Sequence, residues 1–387
     1  MRQLILCTVL LPVMLFSCSE NKGSKFSKEQ LQGDWVEVRK ENYMNGPGFS
    51  GDFGLGFQGD TIEFKLGFWP DNKGGSIGNG YHFTQYDLRN DSVFFINLDS
   101  KEWEFNWIIK SIINDTLTLN YDDSTFLQLS KMKYENQIFT DFDQIIFSTQ
   151  GCYGAFEAYS ISLKSDGSVL YHGNSYVENI GFFKTQVDSF FTKEIFKKYY
   201  NGNIINLEIK QSVSSSHSQD LHTSFIKDGK IVKSMRTVNS YGGIGQNELL
   251  WANLPMEILQ RTQQFDSILN NKHTYGIVGH HTFYNDLTYV SLENSECFYL
   301  WSELNHAAIV DPVFNGDYTL RVYDNFYYTG FNHEAEDFDY HTSITEVKTD
   351  GRYYQFNFKS KKPIVYDLGY NFIEVNFSAN DFEKIED

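Results

Sequence analysis

The sequence predicts a mainly β protein with minor α content, divided into several domains. The chain has 387 residues, more than one domain of ~150 residues would use. Short segments in which apolar and polar residues alternate recur between turn residues, which is typical of antiparallel sheets. Aromatic residues make up 17% of the chain, mostly Phe and Tyr, which suits the filling of several β cores.

Composition excludes several classes of protein. The formal net charge of −18 argues against a nucleic-acid partner, because contacts to phosphates need clustered Lys and Arg. Charged residues reach 21% and Pro occurs only 6 times, which argues against a disordered chain. The composition of the chain also excludes collagen-like, coiled-coil and multi-span membrane proteins.

The N-terminal segment has the pattern of a secretory signal. One basic residue, Arg2, precedes an apolar run from Leu4 to Phe16, which is shorter than the ~20 residues of a membrane-spanning helix. The run ends in Leu15-Phe16-Ser17-Cys18, which resembles the lipobox of bacterial lipoproteins. The resemblance implies that residues 1–17 are removed and that Cys18 carries fatty acyl groups such as palmitate. A plain signal peptide with an incidental Cys is the alternative.

Lipidation would make a membrane the partner of this chain, since several acyl chains hold a protein far better than one. Residues 18–29 would then form the lipidated Cys and a flexible tether, and their composition is mostly polar and small. Ser19 directly after the Cys favours the outer membrane in the rule known for Gram-negative lipoproteins. The periplasmic face and the cell surface both stay open.

Two of the 4 Cys remain after Cys7 leaves with the signal and Cys18 carries lipid. One alternative is a disulfide between Cys152 and Cys297, since an exported protein folds in an oxidising compartment. The other is two unpaired, buried cysteines. Neither lies in a Cys-x-x-Cys or Cys/His spacing, which argues against a metal site built on them.

Residues 30–134 are expected to form an antiparallel β domain. Pairs of Gly, Asn and Asp separate the alternating segments at intervals of about 8–12 residues, which is typical of a sandwich or a barrel. The predicted strands are Thr61–Leu66, Ser92–Leu98, Lys101–Ile109, Thr116–Tyr121 and Thr125–Ser130.

Ahead of these strands, Leu31-Gln-Gly33-Asp-Trp35 has the pattern Leu-x-Gly-x-Trp, which resembles the lipocalin-like families. The resemblance implies a β-barrel in which Gly33 and Trp35 form a structural motif. In those families the Trp plugs the closed end of the barrel beneath a basic residue from the final strand, and Lys131 or Lys133 would take that place here. The alternative is an ordinary core Trp in another β-sandwich.

Residues 135–271 are expected to form an α+β domain. Residues 151–159 read Gly-Cys-Tyr-Gly-Ala-Phe-Glu-Ala-Tyr, which resembles an uncharacterised bacterial domain family with a Gly-Cys-Phe-Gly-x-Cys-Pro-x-Tyr segment. Phe156 and Glu157 replace the second Cys and the Pro, which argues against a role that needs both thiols. The family has no known function, so the resemblance implies no activity.

The same domain contains two hairpin signals, Asp166-Gly167 and Asp228-Gly229, and two helical segments. Residues 192–200 have apolar side chains at helical spacing, with Asp188 or Thr192 as N-cap. Pro255 is expected in the first turn of the second helix. The inward-facing residues of that helix are predicted to be Ile258, Leu259, Phe265, Ile268 and Leu269.

Residues 272–387 return to β patterning and are expected to form a C-terminal β-rich domain, either separate or packed on the second one. Asp350-Gly351 is its clearest hairpin turn. The predicted strands are Tyr318–Tyr323, Ile344–Val347, Tyr353–Phe358 and Phe372–Phe377.

Two Gly-rich segments match functional patterns by letters only. Gly54–Gly59 matches G-x-G-x-x-G, but a strand pattern follows it, whereas pyrophosphate binding needs a helix N-terminus. Gly74–Gly78 matches G-x-S-x-G around Ser76, but a nucleophile elbow needs a following helix, and a strand pattern follows here too. We therefore expect no nucleotide site, no nucleophilic Ser76 and no cofactor.

The segment from His333 to His341 concentrates carboxylates and imidazoles, which are ligands of Ca²⁺ and of transition metals. Its spacing is neither that of an EF-hand nor His-Glu-x-x-His, so a solvated acidic loop is favoured and no metal is predicted. His280 and His281 are adjacent in a strand pattern and would face opposite ways. The weak candidate ligands are His333, Glu334, Glu336, Asp337, Asp339 and His341.

These features predict a lipid-anchored protein of the cell envelope that binds or scaffolds without catalysis. The anchor, the lipocalin-like opening and the lack of a coherent catalytic set favour this interpretation. An eight-stranded barrel can hold one small apolar ligand, and the aromatic residues also suit a glycan-stacking surface. The alternative is an envelope hydrolase acting on glycan or peptide, for which the sequence assigns no catalytic residues.

Overall fold

The structure is a computed structural model, and the residues that it describes fall into two compact units. The first unit is built on described residues up to Met132, and the second holds Lys133 and the described residues after it. The mainly β class with minor α content is confirmed, whereas a domain boundary at 271/272 stays a prediction. The described residues are 24–37, 54–65, 69–70, 76–77, 82–97, 100–120, 126–133, 141–149, 156–207, 219–239, 247–268, 281–322, 344–359 and 362–385.

The first unit is a closed antiparallel barrel preceded by a single helical turn, α1 (Lys28–Leu31). Its described strands are β1 (Gly33–Glu37), β2 (Gly54–Gln58), β3 (Thr61–Lys65), β4 (Trp69–Pro70), β5 (Ser76–Ile77), β6 (His82–Arg89), β7 (Ser92–Ile96), β8 (Trp103–Ile113), β9 (Thr116–Asn120) and β10 (Phe126–Lys131). Eight of them close the barrel in the order β1-β10-β9-β8-β7-β6-β3-β2, and β4 pairs with β5.

The alternation that predicted these strands also builds the barrel core. In β7 the buried positions alternate with partly covered ones, and Val93 and Phe95 point inward. The hairpin residues Asn90-Asp91 and Asn114-Asp115 all have positive φ, the type I′ geometry that matches the twist of the flanking strands. The five predicted strands are confirmed as β3, β7, β8, β9 and β10, and β8 extends past its predicted end to Ile113.

The second unit begins with a seven-stranded sheet in the order β16-β15-β11-β12-β13-β14-β17. Its strands are β11 (Gln144–Thr149), β12 (Ala158–Lys164), β13 (Ser168–Ser175), β14 (Gly181–Gln186), β15 (Gln219–Lys227), β16 (Lys230–Asn239) and β17 (Ser267–Ile268), and its helices are α2 (Ser189–Asn201) and α3 (Asn247–Thr262). Asp188 caps α2 as predicted, because its carboxylate accepts hydrogen bonds from the backbone N–H groups of Phe190 and Phe191.

The prediction that Pro255 opens the second helix is wrong. α3 begins at Asn247 and holds Pro255 in its interior. Leu249, Ala252 and Met256 are buried against the sheet at helical spacing, so their packing outweighs the hydrogen bond that Pro255 cannot donate.

The predicted inward face of this helix is also only partly correct. Leu259 is buried in the core, and Phe265 packs against that core from beyond the end of α3. Ile268 belongs to β17 instead. Leu269 and the side chain of Ile258 lie outside the described part of the chain.

An eight-stranded sheet follows, in the order β20-β24-β23-β22-β21-β18-β19-β25. Its strands are β18 (His281–Tyr284), β19 (Thr288–Leu292), β20 (Ala308–Val310), β21 (Tyr318–Val322), β22 (Ile344–Thr349), β23 (Tyr353–Phe358), β24 (Ile364–Asp367) and β25 (Glu383–Lys384), and its helices are α4 (Asn294–His306) and α5 (Phe372–Asn376). Three of the four predicted strands are confirmed as β21, β22 and β23, and α4 was not anticipated from the sequence.

The fourth predicted strand, Phe372–Phe377, is wrong, since most of it forms α5. The side chain of Asn371 accepts a 3.1 Å hydrogen bond from the backbone N–H of Glu374 and caps the helix. Phe372 and Ile373 are both buried in one core. A strand would send these adjacent side chains to opposite faces, whereas a helical turn lets both pack inward.

α4 is the central element of the second unit. It is buried from Ser295 to Ser302, and its core contains Ile146 and Ile226 of the seven-stranded sheet as well as Phe283 of the eight-stranded sheet. α2 and α3 contribute to a separate core on the other face of the seven-stranded sheet. The central strands of that sheet are therefore covered on both faces.

Candidate functional site

The barrel is plugged at the end where α1 meets β1. Trp35 is buried, and its indole N–H donates a 2.6 Å hydrogen bond to the backbone carbonyl of Leu31. The Lys131 amine lies 5.2 Å from the centroid of the Trp35 ring, because Lys131 is the register partner of Trp35 in β10. Lys131 therefore occupies the position expected for a basic residue over the Trp. We call this end, with its turns at 59–60, 90–91 and 114–115, the closed end.

Gly33 makes room for this arrangement. Its φ is +114°, and a Cβ built there would lie 3.0 Å from Cε of Lys131. Since side chains rarely adopt such a φ, Gly is the residue that lets the lysine stem cross the start of β1.

Polar contacts fasten α1 across the closed end. The Lys28 amine forms an ion pair with Asp60 at 2.7 Å and lies 5.0 Å from the centroid of the Tyr86 ring. The Gln32 amide accepts a 2.7 Å hydrogen bond from the backbone N–H of Gly59 and donates one of 3.2 Å to the Tyr86 hydroxyl. Burial raises the pKa of Tyr86 to about 12, so this hydroxyl keeps its proton at neutral pH.

Aromatic rings lie in the barrel interior toward the end opposite the closed end. The Phe64 ring lies 5.3 Å from the ring of Phe95 and 5.9 Å from that of Trp107, measured between centroids. The three side chains are at most 5% exposed. Phe64 and Phe95 lie near the ends of β3 and β7 that point away from the closed-end turns. This level of the interior is therefore apolar and aromatic, and its ring contacts are weakly directional.

A buried polar cluster in the second unit was not anticipated from the sequence. It lies where α4 begins. Nδ1 of His222, a fully buried residue of β15, is 2.5 Å from a carboxylate oxygen of Glu293. Oγ of Ser224 lies 2.7 Å from Oγ of Ser295 and 2.8 Å from Oγ of Ser234.

Glu296 adds a proton-binding group to this cluster. Its carboxylate accepts a 2.8 Å hydrogen bond from the backbone N–H of Glu293. Burial raises the pKa of Glu296 to about 7, and the hydrogen bonds from Ser234 and from the Glu293 backbone lower it by less. Two side chains of the cluster reach solvent: Glu293 has 35% of its side-chain surface exposed, and Ser234 is half-buried.

The signal for this cluster is faint in the sequence. His222 and Ser224 occupy alternate positions of β15, a pattern that is typical of a solvent-facing side. The packing of α4 over that side is what turns them into interior groups.

Several predicted site residues lie outside the described part of the chain, namely Cys18, Cys152 and the weak metal candidates His333, Glu334, Glu336, Asp337, Asp339 and His341. Cys297 is described; it is a free, buried cysteine whose Sγ lies 3.8 Å from the carbonyl oxygen of Leu292. Burial raises the pKa of its thiol well above the ordinary value. Of the two alternatives for these cysteines, the structure has Cys297 unpaired, and the state of Cys152 stays a prediction.

The described parts of the two Gly-rich segments lie in strands. Gly54–Gln58 is β2 and turns at Gly59 into β3, and Ser76 lies in β5. Of the two adjacent histidines, His281 lies buried in β18. No group of three or more His, Cys, Asp or Glu among the described residues is arranged to hold a metal ion. None of the helices in the described part of the chain is long and apolar enough to cross a membrane.

Residues 143–260 match a protein-family model described as a domain of unknown function (DUF6438). The match runs from the start of the seven-stranded sheet to the last turns of α3, so it contains His222 and Ser224 but neither Glu293 nor Glu296. Neither the curated proteins nor the solved structures contain a significant match.

Proposed function

We propose that this chain is a lipid-anchored protein of the cell envelope, attached to the outer membrane through Cys18, that acts by binding and not by catalysis. The observation that carries the proposal is the closed eight-stranded barrel with Trp35 beneath Lys131 at one end. The signal-like segment and the lipobox-like residues before Cys18 support the location.

The ligand of the barrel is a small apolar molecule that enters at the mouth opposite the Trp35 plug. The aromatic group of Phe64, Phe95 and Trp107 supports this class of ligand, because ring faces and edges attract apolar groups without requiring hydrogen bonds. The plug leaves one mouth for entry, as in other small barrels that hold one ligand.

A binding titration with a fluorescent fatty acid tests the ligand class. We expect saturable, 1:1 binding to the full chain and competition by unlabelled fatty acids. Phe95→Leu should weaken binding about 5- to 10-fold, since roughly 1 kcal/mol of ring contact is lost.

Phe94→Leu is the matched control, because Phe94 neighbours Phe95 in β7 but points away from the interior. It should leave the affinity unchanged. Circular dichroism verifies that both variants fold. Non-saturable binding, or equal effects of the two substitutions, would contradict an interior site.

The anchor is tested on the chain expressed with its own N-terminus. Mass spectrometry should find an N-terminal peptide that starts at Cys18 and carries acyl groups, and the protein should fractionate with membranes. Cys18→Ala should release it into the soluble fraction. A Cys18→Ala protein that still fractionates with membranes would overturn the proposed location.

A further inference from the structure

The first described residue lies close to the proposed anchor in the chain. Ser24 follows Cys18 by six positions, and six residues of fully extended chain span at most about 20 Å. The point at which the folded body begins, Ser24, therefore stays within that distance of the acylated residue.

Ser24 is itself fixed to the closed end of the barrel. Its hydroxyl donates a 2.8 Å hydrogen bond to a carboxylate oxygen of Asp91, and the backbone N–H of Lys25 donates one of 2.5 Å to the same oxygen. Asp91 lies in the turn between β6 and β7. The tether thus reaches the body at a defined point, next to the closed-end turns.

The closed end also differs from the rest of the chain in charge. Its described segments are 24–32, 59–60, 90–91, 114–115 and 131–133, and they carry four positive and four negative side chains, whereas the whole chain has a net charge of −18. A strongly acidic body is repelled by an anionic lipid surface, and a surface of zero net charge is repelled least. The charged groups are Lys25, Lys28, Lys131 and Lys133 against Glu29, Asp60, Asp91 and Asp115.

From the short tether, its attachment at Asp91 and this charge balance, we infer that the barrel stands with its closed end against the lipid headgroups. Its opposite mouth, near Phe64 and Phe95, then points away from the bilayer. The inference rests on the proposed Cys18 anchor and adds an orientation to it. The partner of the closed end is the bilayer surface, and a ligand reaches the mouth from the aqueous side.

The test uses the full, lipidated chain reconstituted in liposomes that contain a nickel-chelating lipid. Single nitroxide labels are placed at Glu29→Cys, at the closed end, and at Glu102→Cys, in the turn between β7 and β8 at the other end. Both positions are exposed glutamates, so the labels are matched. A Cys152→Ser background removes the competing thiol, and Cys297 is buried.

We expect the surface-bound nickel to enhance relaxation of the Glu29→Cys label several-fold more than that of the Glu102→Cys label. A twelve-residue Gly-Ser insertion after Ser19 should abolish the difference, because the body can then rotate freely. Equal enhancement without the insertion, in protein that is acylated and membrane-bound, would overturn the orientation alone. Failure of the chain to be acylated or to bind would overturn the proposed anchor as well.

Discussion

Two strands of similar length, β7 in the barrel and β11 in the second unit, bury their side chains in different ways. β7 alternates, with Val93 and Phe95 buried and its other residues partly covered. β11 is buried at all six positions. One face of β11 packs in the core that contains α2 and α3. The other face, which carries Ile146, packs in the core that contains α4.

Because β11 is buried on both faces, its polar side chains need hydrogen-bond partners inside the protein. On the face of β11 and β12 that carries Ile146, Ser148 Oγ donates a 2.8 Å hydrogen bond to Ser160 Oγ, and Gln144 Nε2 donates one of 2.8 Å to Ser162 Oγ. All four side chains are buried. A buried polar group costs free energy unless it is hydrogen-bonded, so these residues pair with each other. A period of two identifies a strand but does not tell how many of its faces are covered.

The largest effect should come from removing a ring in the doubly covered region. Trp301 of α4 is fully buried and stacks on Phe182 with a centroid distance of 4.4 Å. Trp301→Ala should lower the free energy of unfolding by about 3–5 kcal/mol through lost contacts and a cavity. Urea denaturation followed by circular dichroism measures the change.

Trp103→Ala is the matched control for the barrel, because this side chain on β8 is 41% exposed. It should cost less than about 1 kcal/mol, as surface substitutions do. Equal losses for the two Trp variants would contradict the difference between covered and open faces.

The next largest effect is a pH dependence of the free energy of unfolding, which comes from Glu296. In the folded protein the pKa of Glu296 is raised from 4.5 to about 7, so the folded state binds the proton more tightly than the unfolded state. The contribution of Glu296 to stability therefore falls as the pH rises from about 4.5 to about 7 and is level above that. Glu296→Gln cannot ionise, so its stability relative to the unaltered protein should rise by roughly 2–3 kcal/mol between pH 5 and pH 8.

Urea denaturation at both pH values gives this difference. Glu374→Gln is the matched control, since it removes an exposed carboxyl on α5. A difference for Glu296→Gln that does not vary with pH would disprove the raised pKa.

A third prediction compares the loss of a contact to a buried side chain with the loss of an exposed helix cap. Glu293→Ala removes the carboxylate that lies 2.5 Å from the buried Nδ1 of His222 and should cost about 2 kcal/mol. Asp188→Ala removes the exposed cap of α2 and should cost about 1 kcal/mol. Thermal unfolding ranks the two variants, and a larger loss for Asp188→Ala would show that the contact between Glu293 and His222 adds little stability.

The smallest effect concerns the barrel plug. Lys131→Met keeps the length of the side chain but removes the charge over Trp35, which should cost about 0.5–1 kcal/mol. Lys110→Met, on an exposed position of β8, should change stability by less. If the melting temperatures of the two variants agree, the Lys131 amine does not stabilise the plug.

The barrel was predictable because local rules and tertiary packing agree there. Gly-Asp and Asn-Asp turns set the hairpins, the period of two set the strands, and Leu31 to Trp35 marked the plug. The candidate cluster around Glu293 was not predictable, because its members come from β15, β16 and α4, which are distant in sequence. Each member also has an ordinary surface interpretation in its own segment.

The sequence by itself determined the signal-like segment, the turn positions, the barrel strands and the cap of α2, since each depends on residues within a few positions of one another. The tertiary structure alone decided the position of Pro255 inside α3, the helical state of residues 372–376 and the burial of His222 and Glu296. The physical reason is that burial is a non-local quantity. Whether a side chain meets water or a helix such as α4 depends on chain segments that a local pattern does not contain.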